Sequence, residues 1–127
     1  MNKLPAIFAI FATATAVLPA EASAASQASA ARAWPILQQG LTNKKAAKRA
    51  SAVHSLRLLP HNPRAQNVAE SALIDPNAKV RAEAARALGP MGTASSAPKL
   101  KAVLNDKDPA VVLAAAHSLF LLGSRHR

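Results

Sequence analysis

From Asn43 to Leu122 the apolar residues return every three or four positions, and each run is bounded by Asp, Asn, Pro or Gly. That is the period of helices with one buried face. Val80, Ala84, Ala85 and Leu88 form one such stripe, which predicts a helix capped by Asn77 and running to about Leu88, where Gly89-Pro90 and Gly92 end it. Asp108-Pro109 opens another, a capping carboxylate followed by proline at the first helical position. Two partner helices are predicted from Asn62-Pro63 to about Ile74 and from Ser96 to about Asn105. Their stripes are Val68, Ala69, Ala72 and Leu73, then Leu100, Val103 and Leu104. Upstream, Ala28 to Leu41 predicts one more short helix, broken at Pro35, with Trp34 and Leu37 covering the end of the stack.

The pattern repeats. Asp75 to Gly92, shifted by 31 positions, lies over Asp106 to Gly123: Asp75 meets Asp106, Val80 meets Val111, Leu88 meets Leu119 and Gly92 meets Gly123. Shifted back by 32 it lies over Asn43 to Pro60, where Arg81 meets Arg49, Ala84 meets Ala52 and Leu88 meets Leu56. A period near thirty residues with a helical hairpin per copy is the signature of a solenoid. The predicted fold is therefore an all-α solenoid of about two full hairpins plus a terminal half.

Asp75-Pro-Asn-Ala-Lys-Val-Arg-Ala-Glu-Ala-Ala-Arg-Ala-Leu-Gly and Leu104-Asn-Asp-Lys-Asp-Pro-Ala-Val resemble HEAT repeats, of the short bacterial type also found in phycobilisome lyase-like proteins. The resemblance covers about Asn43 to Gly123. It implies a ladder in which an Asp in the turn before the first helix of each copy pairs with an Arg six positions on. Asp75 and Arg81 fit that pattern, Asn43 and Arg49 fit it with one charge lost, and Asp106 faces Val112, so the third rung is expected to be absent. Similar proteins serve as scaffolds for protein partners. A chromophore lyase activity is also found among them, but nothing in this chain offers a tetrapyrrole site.

Met1 to Ala24 has a different organisation: Lys3, an apolar run from Leu4 to Leu18, then Pro19 and Ala22-Ser23-Ala24. That order is a secretory signal peptide cleaved after Ala24. The run is 15 residues and holds Thr13 and Thr15, short of the roughly 20 apolar residues a transmembrane anchor needs. Three segments follow: a signal peptide over 1–24, a linker and capping helix over 25–42, and a HEAT-like domain over 43–127. The expected location is periplasmic or secreted. Lys3 and Glu21 would leave together, so the net charge of +10 would survive cleavage.

At the other end, Val111 to Leu122 carries no formal charge and is apolar nearly all round. Solenoids keep polar end faces for solubility, so this edge is expected to be adhesive. Either it self-associates, or the chain is a shortened version of a longer repeat array; shortening is the favoured expectation.

Half of the chain is hydrophobic, yet it holds three Phe, one Trp and no Tyr; most of the rest is Ala, which suits closely packed helices. Zero Cys excludes disulfides, a thiolate zinc site and a cysteine nucleophile. His54 and His61 are seven apart and His117 and His126 nine apart, neither being the i,i+4 pair of a helical metal site. His54, Arg86 and His117 fall at equivalent positions of the three copies, which would set them in a column. Asp75 and Asp106 fall in turns, Asp108 at a cap, and Glu83 within helical reach of Lys79 and Arg86. No pair of carboxylates is left for acid/base chemistry, and no nucleophile elbow or phosphate loop is present. Neither enzyme activity, nor a cofactor, nor a metal is expected.

Charge then decides the partner class. Sixteen Lys+Arg oppose six Asp+Glu, and the densest cluster is Lys44, Lys45, Lys48 and Arg49. Like charges at i,i+4 repel, and cations at a helix start oppose the macrodipole, so a bound anion would relieve the cluster. The expected function is a non-catalytic protein-interaction module with an acidic partner. Polyanion or nucleic-acid binding through the basic face is the alternative. It is disfavoured by the leader and by the scarcity of aromatic residues on which bases stack.

Overall fold

The structure, a computed structural model, describes residues 19–125. Most of the leader expected over 1–24 lies outside the described residues. Two compact units divide the chain: Met1–Arg32, helical where it is described, and Ala33–Arg127, which holds the stacked hairpins.

Six α-helices are formed among the described residues: α1 (Pro19–Leu41), α2 (Ala46–Ser55), α3 (Pro63–Ala72), α4 (Ala78–Met91), α5 (Ala97–Val103) and α6 (Pro109–Ser124). One-turn 3-10 segments, Leu56–Leu58 and Ala94–Ser96, sit at the hairpin bends. The first helices α2, α4 and α6 lie side by side, while α3 packs on α4 and α5 on α6. This is the all-α solenoid expected from the repeat.

Local chemistry sets the starts. Asn62 accepts a hydrogen bond from the Ala65 N–H, Asn77 from those of Lys79 and Val80, and Asp108 from that of Ala110. Each cap satisfies an N–H that the helix itself leaves orphaned. Two helices run further than expected. α4 continues through Gly89-Pro90 to Met91, and Gly92 closes it with its N–H on the Leu88 carbonyl at 2.8 Å. Gly92 is extended there rather than left-handed. α1 likewise passes through Pro35 without a break. A proline forfeits one helical hydrogen bond, and here the loss falls at an exposed position.

Val53, Leu56, Val80, Leu88, Leu100 and Val111 are fully buried, separated by a row of buried alanines that includes Ala65, Ala69, Ala84, Ala85 and Ala87. Small residues let the helices approach, so a core this poor in aromatics still fills its space. Trp34, Leu37 and Leu41 pack against that core, as expected of a cover at its end. Gly40 sits so close to α2 that a Cβ there would come within 2.8 Å of the Ala52 methyl.

Candidate functional site

The turns before α2, α4 and α6 are built alike. The side-chain oxygen Oδ1 of Asn43, Asp75 and Asp106 accepts the N–H two residues on, at 2.9, 2.8 and 2.9 Å. Each arginine then binds forward, into the next turn. Arg49 donates from Nε and Nη2 to the two carboxylate oxygens of Asp75, both at 2.9 Å, and Arg81 does the same to Asp106 at 2.7 and 3.0 Å. Backwards, the arginines reach backbone only: Nη1 of Arg49 donates to the carbonyls of Asn43 and Lys44, and Nη1 of Arg81 to those of Asp75 and Pro76.

This corrects the pairing expected from sequence. Asp75 is bound by Arg49 of the preceding hairpin, not by Arg81 six positions on, and Asp106 is bound although Val112 replaces the arginine of its own copy. The fork geometry of guanidinium on carboxylate explains the electrostatics. Arg49 holds Asp75 below the usual carboxylate range, against the upward push of burial, with the Asn77 N–H helping. Arg81 and the Asp108 N–H hold Asp106 down in the same way. Both guanidinium groups are in turn raised, first by these carboxylates.

The basic cluster is thereby divided. Lys44, Lys45 and Lys48 are exposed, with no carboxylate in ion-pair contact among the described residues. Arg49 is not part of that surface: its side chain is 18 % exposed and its guanidinium is spent on Asp75 and two carbonyls.

A second polar joint links α3 to the start of α5, and the sequence reading assigned it no role. Glu70 is buried, accepting from Ser96 Oγ at 2.7 Å and Gln66 Nε2 at 3.0 Å and pairing with Lys99. Burial pushes the Glu70 carboxyl up, but Lys99, Ser96 and Gln66 together outweigh it and hold it below its ordinary value. The one signal in the sequence was a lone acid in an otherwise neutral stripe.

Of the column expected from His54, Arg86 and His117, two members meet. Glu83 bridges them, with Oε2 at 2.9 Å from His54 Nδ1 and Oε1 accepting from Arg86 at 2.8 Å. Burial pushes Glu83 up and these two neighbours bring it below its usual value. Lys79 is not in ion-pair contact with Glu83, but it lines, with Ser51, His54 and Ser55, a shallow groove of about 380 Å³ beside it. His117 is exposed and takes no part. His61 holds a left-handed backbone in the bend before α3 (φ 62°). Among the described residues no three His, Asp or Glu side chains cluster as metal ligands would.

On α6 the buried residues Val111, Ala114, Ala115, Ser118 and Leu122 share one face, and the opposite face is open. Leu113 is 71 % and Phe120 74 % exposed there. Beside it, Ala94, Ala97, Lys101, Leu104, Leu119 and Leu122 line an apolar groove of about 630 Å³. Among the described residues, no helix is long and apolar enough to cross a membrane.

Residues 67–125 match the family of HEAT repeats. That stretch spans α3 from its middle, α4, α5 and α6; it holds the Arg81–Asp106 pair and Glu70 with Ser96 and Lys99, while Asn43, Arg49 and Gln66 lie outside it. No curated protein matches the chain.

Proposed function

With HEAT repeats over residues 67–125 as the premise, we propose that the chain is a non-catalytic interaction module that docks an acidic protein surface on Lys44, Lys45 and Lys48. One contrast carries the reading. Arg49 is committed to the stack, whereas the three lysines beside it, crowded at the start of α2, stay exposed and unneutralised among the described residues. Like charges at that spacing and position repel each other and the helix dipole. An acidic partner removes both penalties, and a stacked-hairpin scaffold presents such a surface without needing to move.

The test is binding of a labelled polyglutamate peptide to the full chain at low salt. Replacing Lys44, Lys45 and Lys48 by Ser together should weaken it at least several-fold, and unchanged binding removes the proposal. A DNA duplex of equal charge serves as comparison. Tighter DNA binding with a steep salt slope would transfer the surface to the polyanion reading.

Export belongs to the same proposal and rests on the leader pattern of residues 1–24. Protein recovered from the periplasmic or secreted fraction should begin at Ala25. An intact Met1 there would overturn cleavage.

A further inference from the structure

We propose that the acidic partner docks as an extended segment in the polyproline II conformation, lying across the starts of α2, α4 and α6 with a carboxylate at every third residue. This rests on the reading that Lys44, Lys45 and Lys48 receive an acidic protein. It adds the shape of the docking segment and two further contacts, Lys79 and Lys107.

The ladder brings the three starts together and occupies their acids. The guanidinium of Arg49 touches the Lys44 carbonyl and the Asp75 carboxylate at once, and that of Arg81 touches the Pro76 carbonyl and the Asp106 carboxylate. Each turn is thus bridged to the next by a single guanidinium. Both carboxylate oxygens of Asp75 and of Asp106 are held by arginine, and Oδ1 of each also accepts a backbone N–H. On α4, Glu83 is held in the same way by His54 and Arg86. Asp108 is the acid left over at these starts, and it caps α6 through the Ala110 N–H.

What stays exposed is a row of ammonium groups. Lys107 holds in the third turn the place that Lys44 holds in the first. The second turn has Pro76 there, and Lys79, in the first turn of α4, supplies the cation between them. Lys44, Lys45, Lys48, Lys79 and Lys107 are all exposed, and none is in ion-pair contact among the described residues. Two of them mark the path. Ser51 and Ser55 form a ridge on α2 with a groove on either side. Lys48 lines the groove toward α1, of about 410 Å³, and Lys79 the one toward α4, of about 380 Å³.

Spacing selects the segment. Packed helices lie about 8–10 Å apart, so beyond α2 the row offers one cation per helix at that interval. A polyproline II chain has three residues per turn and rises about 3.1 Å per residue, which returns every third side chain to one face about 9 Å on. A β-strand returns a side chain to the same face after about 7 Å, too short a step. An α-helix matches the interval only at every seventh residue, and its cylinder, about 10–12 Å across, rides on the Ser51–Ser55 ridge rather than in the grooves beside it. Polyproline II needs no internal hydrogen bonds and is already populated by unfolded chains, so an acidic segment can adopt it on landing.

Two end-blocked peptides of equal charge and composition test the row on the full chain at low salt: Glu-Pro-Pro repeated three times, and its isomer with three Glu followed by six Pro. Lys79→Ser and Lys107→Ser should each weaken the repeated peptide about threefold, the scale of one exposed ion pair, and affect the clustered isomer much less. Replacing Lys44, Lys45 and Lys48 by Ser together should weaken both. Arg57→Ser removes the same charge from an exposed position at the other end of α2 and should change neither. With the unaltered chain, a spin label at one end of the repeated peptide should broaden the backbone amide signals around Lys107, and a label at the other end those around Lys44. A repeated peptide indifferent to Lys79 and Lys107, or equal losses for the two peptides, would overturn the row and leave the three lysines at α2 standing. A loss through Arg57→Ser as large as that through Lys79→Ser would reduce the row to net charge and overturn it too. Binding of neither peptide would remove the underlying reading together with this one.

Discussion

Arg81 grips Asp106 with two parallel hydrogen bonds, 2.7 Å from Nε and 3.0 Å from Nη2, across 25 positions of chain. Its remaining nitrogen, Nη1, donates back to the carbonyls of Asp75 and Pro76. One guanidinium therefore ties the turn before its own helix to the turn before the next. Arg49 repeats the device one hairpin earlier. One departure from the repeat follows from this direction of binding: Asn43 needs no charge, since among the described residues no arginine side chain reaches forward to its side chain.

Asn43 and Asp75 should accordingly respond differently to exchange of their side chains. Asn43→Asp keeps the acceptor for the Lys45 N–H and sits at an exposed turn among lysines. Its effect should stay within the roughly 0.5 kcal/mol band of ordinary surface changes. Asp75→Asn keeps the turn but removes the charged fork that Arg49 holds, so its loss should fall clearly outside that band. Thermal melts of the two variants, measured side by side, give the comparison. Equal losses would mean that the turn, and not the ladder, sets stability here.

Acid should unfold the stack. Glu70, Asp75, Glu83 and Asp106 all titrate below their ordinary values in the folded chain. The folded state then binds fewer protons than the unfolded one, so stability falls as pH falls. The contribution is complete above the unfolded carboxylate range, at about pH 5 and higher. It is lost as pH drops through about 4 and below, into the depressed values. A melting temperature flat from neutral pH to about 5 and declining beneath it is expected. Rising stability on acidification would contradict the pairing.

How much of this was legible follows from where the information lies. The shift of 31 and 32 positions put Arg49 over Arg81 and Asp75 over Asp106, and so located every member of the ladder. It misassigned the partners because six residues of sequence look nearer than 26, while stacking brings the distant pair into contact. Helix ends were misjudged where proline was taken as a stop: Pro35 and Pro90 each cost one hydrogen bond, and the helix continues on its other bonds and its packing. The Glu70 joint left no trace in the repeat, because Gln66, Ser96 and Lys99 come from two different hairpins and have no shared spacing to detect.

That joint should be unequal in its parts. The Glu70 side chain is 6 % exposed and that of Lys99 is 56 % exposed. Glu70→Leu leaves Ser96 Oγ, fully buried, without its acceptor, at a cost of about 1–3 kcal/mol. Lys99→Ala removes a largely solvated ammonium and leaves Glu70 with Ser96 and Gln66, for at most about 1 kcal/mol. Urea midpoints of the two variants should fall in that order, and the reverse order would show the ion pair, not the hydrogen bonds, to dominate.

The tightest joint in the stack offers the sharpest test. Ser118 Oγ, buried, donates to the Ala85 carbonyl at 2.6 Å, and Gly89 lets α6 come this close to α4. Gly89→Ala gains about 1 kcal/mol of helix propensity but places a methyl 2.9 Å from that Oγ. Overpacking of this kind costs about 1–3 kcal/mol, so a net destabilisation is expected. Ser118→Ala alone gives up one buried hydrogen bond, about 1 kcal/mol. In the double variant the hydroxyl is gone, and the remaining close contact is the Leu121 Cδ1 methyl at 3.0 Å, the movable end of a side chain. The two losses should therefore add to less than their sum, with a coupling of at least about 0.5 kcal/mol, as for residues in contact. Strict additivity in the double-mutant cycle would mean that the Ser118 hydroxyl is not what limits the approach of the two helices.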